Sequence, residues 1–252
     1  MKKVLVSLLL ITVLMVPTTV MAQEMELNGE QPADPSLEEN INSNSAVAEV
    51  NGEEITQAEL NQQANVNQLL QQLSQIDQQL VQILAQSEAG SEVIKEYQKQ
   101  KLDSIIDNVL LKQQAEEKGI SLSQQEKEEI YKEQKAAILE QNQMDEEEFL
   151  SVLEKQGFEN EEAYKKEFLS NPQIKINKLI EEEVAAEIEI SEEELKKAYE
   201  ENKDAFAQSG EDTDFEDLKP QLEQMLRQQK RNKKISQYLS NLREEAEIEK
   251  MI

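Results

Sequence analysis

At three places in this 252-residue chain a hydroxyl residue is followed three positions later by glutamate, just as a helical segment begins. These are Thr56-Gln57-Ala58-Glu59, Ser123-Gln124-Gln125-Glu126 and Ser191-Glu192-Glu193-Glu194. In such a capping box the hydroxyl accepts a bond from the third helical N–H, and the glutamate reaches back to the cap N–H. The chain has only six Gly and five Pro to break helices and no cysteine to staple loops. Together these features point to a mostly helical fold.

The remaining signals place the elements around those starts. Ala46-Val47-Ala48-Glu49-Val50 reads as a strand, and Asn51-Gly52 is the preferred pair for a type I′ hairpin turn. Glu53-Glu54-Ile55 returns as the second strand, and Thr56 opens a helix expected to run to about Gln86. Val66, Leu69, Leu73, Ile76, Leu80 and Ile83 recur on it at spacings of three and four, as in an a/d seam, on a polar and nearly uncharged background. A second helix is expected from near Ser91 to Gly119, forming an antiparallel hairpin with the first. Shorter helices follow after Ser123, Asp145 and Asn160, with a kink or break at Pro172. Another starts at Ser191. A long last helix spans roughly Phe215 to Glu245, with Asp217 as its expected cap and Pro220 in its first turn. Ala246 to Glu249 is a candidate terminal strand that pairs with Ala46 to Val50.

The first residues have the pattern of a secretory leader. Lys2 and Lys3 precede an apolar run from Val4 to Val16, Pro17 breaks it, and Val20-Met21-Ala22 suits cleavage before Gln23. The run is shorter than the ~20 residues a bilayer span needs, and no Cys follows it to carry a lipid. An extracytoplasmic location, with no membrane insertion after cleavage, is therefore expected. The formal net charge of −27 argues against nucleic acid, whose phosphates need clustered Lys and Arg.

No catalytic set stands out. His and Cys are both absent, which removes His- or Cys-based nucleophile systems and Cys/His zinc sites. The acidic runs Glu146 to Glu148, Glu181 to Glu183 and Glu192 to Glu194 lie at or near helix ends and read as solvated faces. Gly210-Glu211-Asp212-Thr213-Asp214 lacks the spacing of a calcium loop. No metal or cofactor is expected, and the chain is expected not to be an enzyme. The apolar residues Met144, Phe149, Leu153 and Phe158, in and around one short helix, are the candidate client-binding set, because an apolar groove can receive segments of another chain.

Three segments resemble one family. Val47-Ala48-Glu49-Val50-Asn51-Gly52-Glu53-Glu54-Ile55-Thr56 resembles the opening motif of SurA-like extracytoplasmic chaperones. Leu102 to Leu111, with Ala115, Gly119-Ile120 and Ser121 to Glu126, is similar to their next segment. Phe215 to Lys219 through Tyr238-Leu239 to Ile248 resembles the helix and strand that follow the parvulin isomerase module in SurA- and PrsA-type foldases. Tyr199 to Asn202 matches the helix before that module. The final helix then begins near Phe215, which leaves no room for a domain of ~100 residues, and the histidines of a parvulin site are absent.

The resemblance implies a SurA N-terminal-like helical chaperone domain with a long helical hairpin, a small N-terminal β-hairpin, and a long C-terminal helix with a terminal strand packing back on it. The expected organisation is a signal peptide at 1–22, a disordered linker at 23–45, the helical domain at 46–206, a loop at 207–214 in place of the parvulin module, and 215–252 completing the same domain. The expected function is an ATP-independent holdase without prolyl isomerase activity. It would bind unfolded or newly exported polypeptides in a groove between the hairpin and the C-terminal helix. The alternatives are a structural or adaptor protein, whose Gln-rich seam forms a homodimer or meets a dedicated partner, and a residual isomerase.

Overall fold

The computed structural model describes residues 44–186, 188–209 and 214–252. The expected leader, the linker up to residue 43 and the loop residues 210–213 lie outside the described residues. The described chain is mostly helical, with one small antiparallel sheet, and forms two compact units: residues 123–170, and residues 44–122 with 171–252.

The larger unit begins with strands β1 (Ala46–Val50) and β2 (Glu53–Thr56). Asn51 and Gly52 both take positive φ, 51° and 84°, as a type I′ turn requires. Strand β3 (Ile248–Lys250) pairs antiparallel with β1 on its other side, Val50 opposite Ile248 and Ala48 opposite Lys250, giving the order β2-β1-β3. The two ends of the described chain therefore meet in one sheet.

Thr56 opens α1 (Gln57–Ala64) with both bonds of its capping box in place. The single helix expected as far as Gln86 is instead three: α1, α2 (Val66–Ser74) and α3 (Gln78–Gln86). Asn65 takes the left-handed conformation, φ 41°, and both ends α1 and begins α2. Asn tolerates that conformation because its short polar side chain relieves the steric cost. Asp77 restarts the chain by accepting bonds from the Gln79 and Leu80 N–H groups. Next comes α4 (Glu88–Glu117), capped by the Ser87 hydroxyl, which accepts from the Gly90 N–H. Gly119, at φ 68°, lies just beyond its end.

After the smaller unit, α8 (Pro172–Ile180) is capped by Asn171, with Pro172 at its start, where a missing N–H costs no helical bond. It runs into a π-helical turn, Glu181–Ala185. Helices α9 (Glu192–Ser209) and α10 (Phe215–Glu245) complete the unit. Because α10 starts at Phe215, with Asp214 rather than Asp217 at its cap, Pro220 lies inside the helix and not in its first turn.

Three apolar clusters hold this unit. Ala48, Val50 and Ile55 of the sheet pack with Leu60, Leu102 and Ile106 of α1 and α4. Leu111 and Ala115 meet Ile176, Leu179 and Val184, with Ile235, Tyr238 and Leu239 of α10 against them. Leu195 and Ala198 of α9 meet Leu218 and Leu222 of α10. Each fully buried Leu or Ile contributes roughly 1.5–3 kcal/mol by leaving water.

Ion pairs tie the segment 181–194 to α10. Arg231 pairs with Glu181 at 3.0 Å, Lys230 pairs with Glu194 at 2.7 Å, and Lys230 also donates to the Glu189 carbonyl. The bond from Lys230, with those from the Ser191 backbone and hydroxyl, holds the Glu194 pKa at about 2. A free Glu titrates near ~4.3. The folded pKa is depressed, so this contribution to stability is present above about pH 4.3 and is lost as pH falls through about 2. Glu194→Gln should flatten the acid limb of the stability curve in that window, read from urea midpoints at successive pH values.

Arg243 joins the end of α10 to α4. It donates to Asp107 at 2.6 Å, to Asp103 at 3.2 Å and to the Asp103 carbonyl, and Lys250 of β3 reaches Asp103 at 2.6 Å. Arg243→Leu should cost about 1.5–3 kcal/mol, the usual worth of bonds to charged groups. Amide exchange of Ile248 to Met251 should rise with it.

The smaller unit holds α5 (Gln124–Asn142), α6 (Glu146–Lys155) and α7 (Glu161–Ser170). Ser123 and Asp145 form full capping boxes, and the Asn160 side chain accepts from the Ala163 N–H. Gly157, at φ 90°, follows α6.

Candidate functional site

Each unit carries its own candidate surface. In the smaller unit, Tyr164 is the centre of an aromatic cluster. Phe158 and Phe149 meet its ring edge-on at 5.2 and 5.9 Å between centroids, and Tyr131 lies 6.2 Å away. Such edge contacts suit the ring quadrupole. Ion pairs surround this cluster. Lys135 bridges Glu161 and Glu146 and sits over the Phe149 ring, and Lys165 pairs with Glu128 and sits over Tyr131. Burial works against the Glu161 carboxylate, but bonds from Lys135 and Tyr131 outweigh it and hold its pKa below the ordinary value. Burial, and then the bond to Glu161, raises the Tyr131 hydroxyl.

The four residues singled out from sequence fall in this unit. Phe149 and Leu153 are 2% and 3% exposed. Met144 and Phe158 are half-buried. Phe149 and Phe158 converge on Tyr164. Leu150, on the outer side of α6, is the exposed large apolar residue here. A shallow depression beside the cluster is lined by charged groups, among them Glu128, Lys132, Lys135 and Glu162.

In the larger unit a concavity of 410 Å³ runs between α4 and α10. Ile235 and Leu239 supply its apolar lining, and Asn232, Ser236, Ser240, Asp107 and Arg243 its polar lining. This is the groove between the hairpin and the C-terminal helix considered from sequence. It is small, and its charged groups are already paired with each other.

Four exposed large apolar side chains lie elsewhere, on α3, the turn before it and the first turns of α4. Ile76 is 83% exposed, Leu80 41%, Ile83 58% and Val93 57%. Their exposure follows from the helix breaks. With α3 restarted at Asp77, Val81 and Leu84 are its half-buried residues, and Ile76, Leu80 and Ile83 are left facing solvent. Gly90, at the start of α4, lets α3 approach closely: a Cβ there would lie 2.5 Å from Leu84 Cα and against the Ile83 carbonyl. The heptad spacing identified Ile76, Leu80 and Ile83 as a seam but not as an outward face. Val93 carried no signal that set it apart from its neighbour Ile94.

Among the described residues, no group of three or more acids could hold a metal ion, and no helix is long and apolar enough to cross a membrane. What this unit offers chemically is apolar contact area at α3 and α4.

The SurA-like N-terminal domain family matches residues 2–180. Foldase protein PrsA of Clostridium kluyveri (strain ATCC 8527) is 32% identical over 168 residues, covering 65% of this chain and 48% of that protein. Foldase protein PrsA of Clostridium botulinum (strain Langeland) is 34% identical over 167 residues, covering 65% of this chain and 47% of that protein. The chain thus spans about half the length of these relatives. Their shared name, foldase, points to an enzyme family and corrects the sequence-based expectation of a non-enzyme. That expectation leaned on missing His and Cys, which excludes only mechanisms built on those groups. Hydroxyls, carboxylates and backbone donors remain. Between α9 and α10 only residues 210–214 intervene, too few for a further domain of ~100 residues at that point.

Proposed function

Because the chain belongs to the SurA-like N-terminal domain family, a family of chaperones and foldases, we propose that it is an ATP-independent holdase for unfolded or newly exported polypeptides. The observation that carries this reading is the solvent-facing apolar stripe of Ile76, Leu80, Ile83 and Val93. Isolated exposed apolar residues are ordinary, but four within eighteen residues of chain, on two helices that pack together and the turn before them, favour an interaction surface. Client segments would bury apolar side chains there reversibly, and the acidic remainder of the chain would keep the complex in solution. On the smaller unit, Met144, Phe149, Leu153 and Phe158 would serve as a second contact, through the half-exposed Met144 and Phe158. Export by the 1–22 leader, with cleavage before Gln23, places this activity outside the cytoplasm.

The test is suppression of aggregation of a chemically unfolded client, followed by light scattering. Suppression at equimolar protein is the expected result, and none at several-fold excess would sink the proposal. Prolyl isomerisation is a separate activity, measured beside it by proline-limited refolding.

One observation favours a second reading. The stretch from Leu60 to Ser87 carries a single charge, Asp77, so it is a surface on which two strongly acidic copies could meet without repulsion. A coiled-coil-like homodimer or adaptor built on that stretch would show a concentration-independent dimer mass in solution. A monomer mass supports the holdase reading of the stripe.

A further inference from the structure

We propose that the polypeptide segments taken by the α3–α4 stripe are apolar and net positive; the inference rests on the holdase reading and narrows its client class. The argument is the contrast between the stripe and the chain that carries it. Of the 53 acidic residues, the stretch 60–87 holds only Asp77, and it holds none of the 26 basic ones. Asp77 is already engaged, accepting from the Gln79 and Leu80 N–H groups at 2.9 and 3.1 Å. The contact surface itself therefore carries one charge, already held by backbone donors, and otherwise contributes apolar area without discriminating by charge.

The field around it does discriminate. On α4, Glu88, Glu92 and Glu96 follow one another at intervals of four and are exposed, as is Val93. Lys95, Lys99 and Lys101 equal them in number, but all three follow Val93 in the chain and Lys101 lies over the Tyr97 ring. Over the whole chain, however, the balance is −27. An anionic segment must approach the stripe against that field, while a cationic one is drawn in. Such steering raises association by about 10–10³-fold and fades as salt shortens the Debye length from ~10 Å at 0.1 M to ~3 Å at 1 M. Apolar contacts at the stripe do not fade in that way.

The experiment uses the full chain and two fluorescent unfolded peptides of equal length and apolar content, one carrying lysines where the other carries glutamates. Anisotropy titrations at low salt should give about tenfold tighter binding of the lysine peptide, and the difference should shrink below about threefold near 1 M salt. Replacing Ile76 and Ile83 by Ser should weaken both peptides, and Glu88, Glu92 and Glu96 all changed to Gln should narrow the gap between them. Equal affinity for the two peptides at low salt, both weakened by the Ser variants, would overturn the charge preference and leave the holdase reading standing. A preference that survives the Ser variants unchanged would place cationic binding elsewhere and overturn the assignment to the stripe. Binding of neither peptide would overturn the holdase reading itself.

Discussion

Gly90→Ala should destabilise the larger unit by about 1–3 kcal/mol or more, with the loss concentrated in α2 and α3. The added methyl would meet backbone, not a movable side chain. It would lie 2.5 Å from Leu84 Cα and 2.5 Å from the Leu84 carbonyl oxygen, and against the Ile83 carbonyl. Neither helix can yield by a rotamer change, so the end of α3 must move off α4. Alanine is otherwise the better helix residue, by ~1 kcal/mol over glycine. A substitution that local propensity favours is therefore expected to fail for a tertiary reason. Urea unfolding would give the size of the loss. Amide exchange would give its place, with protection falling across Gln78–Gln86 and held in Leu102 to Leu110, which pack on the sheet. A variant as stable as the parent, with unchanged exchange in α3, would show that the corner does not depend on this close approach. Gly119→Ala is the contrasting case. Nothing crowds that position, and its cost comes from φ 68° alone.

The features legible in the sequence were those that short-range chemistry determines. The capping boxes at Thr56, Ser123 and Ser191, the turn at Asn51-Gly52 and the glycine after α4 each satisfy backbone groups within a few residues. Their spacing therefore reports their structure. The pairing of β3 with β1 was legible too, because the alternation at each end and the family resemblance agreed. The break of one expected helix into three was not. Asn65 and Asp77 are ordinary polar residues in a Gln-rich run, and the apolar period passes through both without interruption. The restart at Asp77 and the close approach of Leu84 to Gly90 together leave Val81 and Leu84 as the half-buried residues of α3. Pro220 misled for a related reason: an expected cap at Asp217 would have excused the proline, whereas packing of Leu218 against α9 carries the helix back to Phe215. For the candidate site, the period of three and four named Ile76, Leu80 and Ile83 but pointed them at a partner helix. The clustering of Met144, Phe149, Leu153 and Phe158 was equally visible. Periodicity reports an apolar face and is silent on whether that face is covered.

Ile76→Asp combined with Ile83→Asp should abolish aggregation suppression while leaving the fold intact. Both side chains are more than half exposed, so replacing them removes little native packing, and surface changes of this kind stay within about ±0.5 kcal/mol. A client that covers the stripe would see the opposite. Each lost isoleucine contact is worth roughly 1.5–3 kcal/mol when fully buried, and each new carboxylate must be desolvated or left in a gap. A combined loss of about 3–6 kcal/mol corresponds to roughly a hundredfold or greater weakening, because each 1.4 kcal/mol is a factor of ten. The same chain with Met144 and Phe158 changed to Ser tests the smaller unit independently. If holding survives the Asp pair and fails with the Ser pair, clients are bound by the smaller unit and the stripe on α3 and α4 serves some other contact. If the Asp pair alone destroys holding at unchanged urea midpoint, the exposed face is the client surface. Its low charge in so acidic a chain then has a physical purpose: apolar segments can be held there with only Asp77, already bonded to backbone N–H groups, beside them.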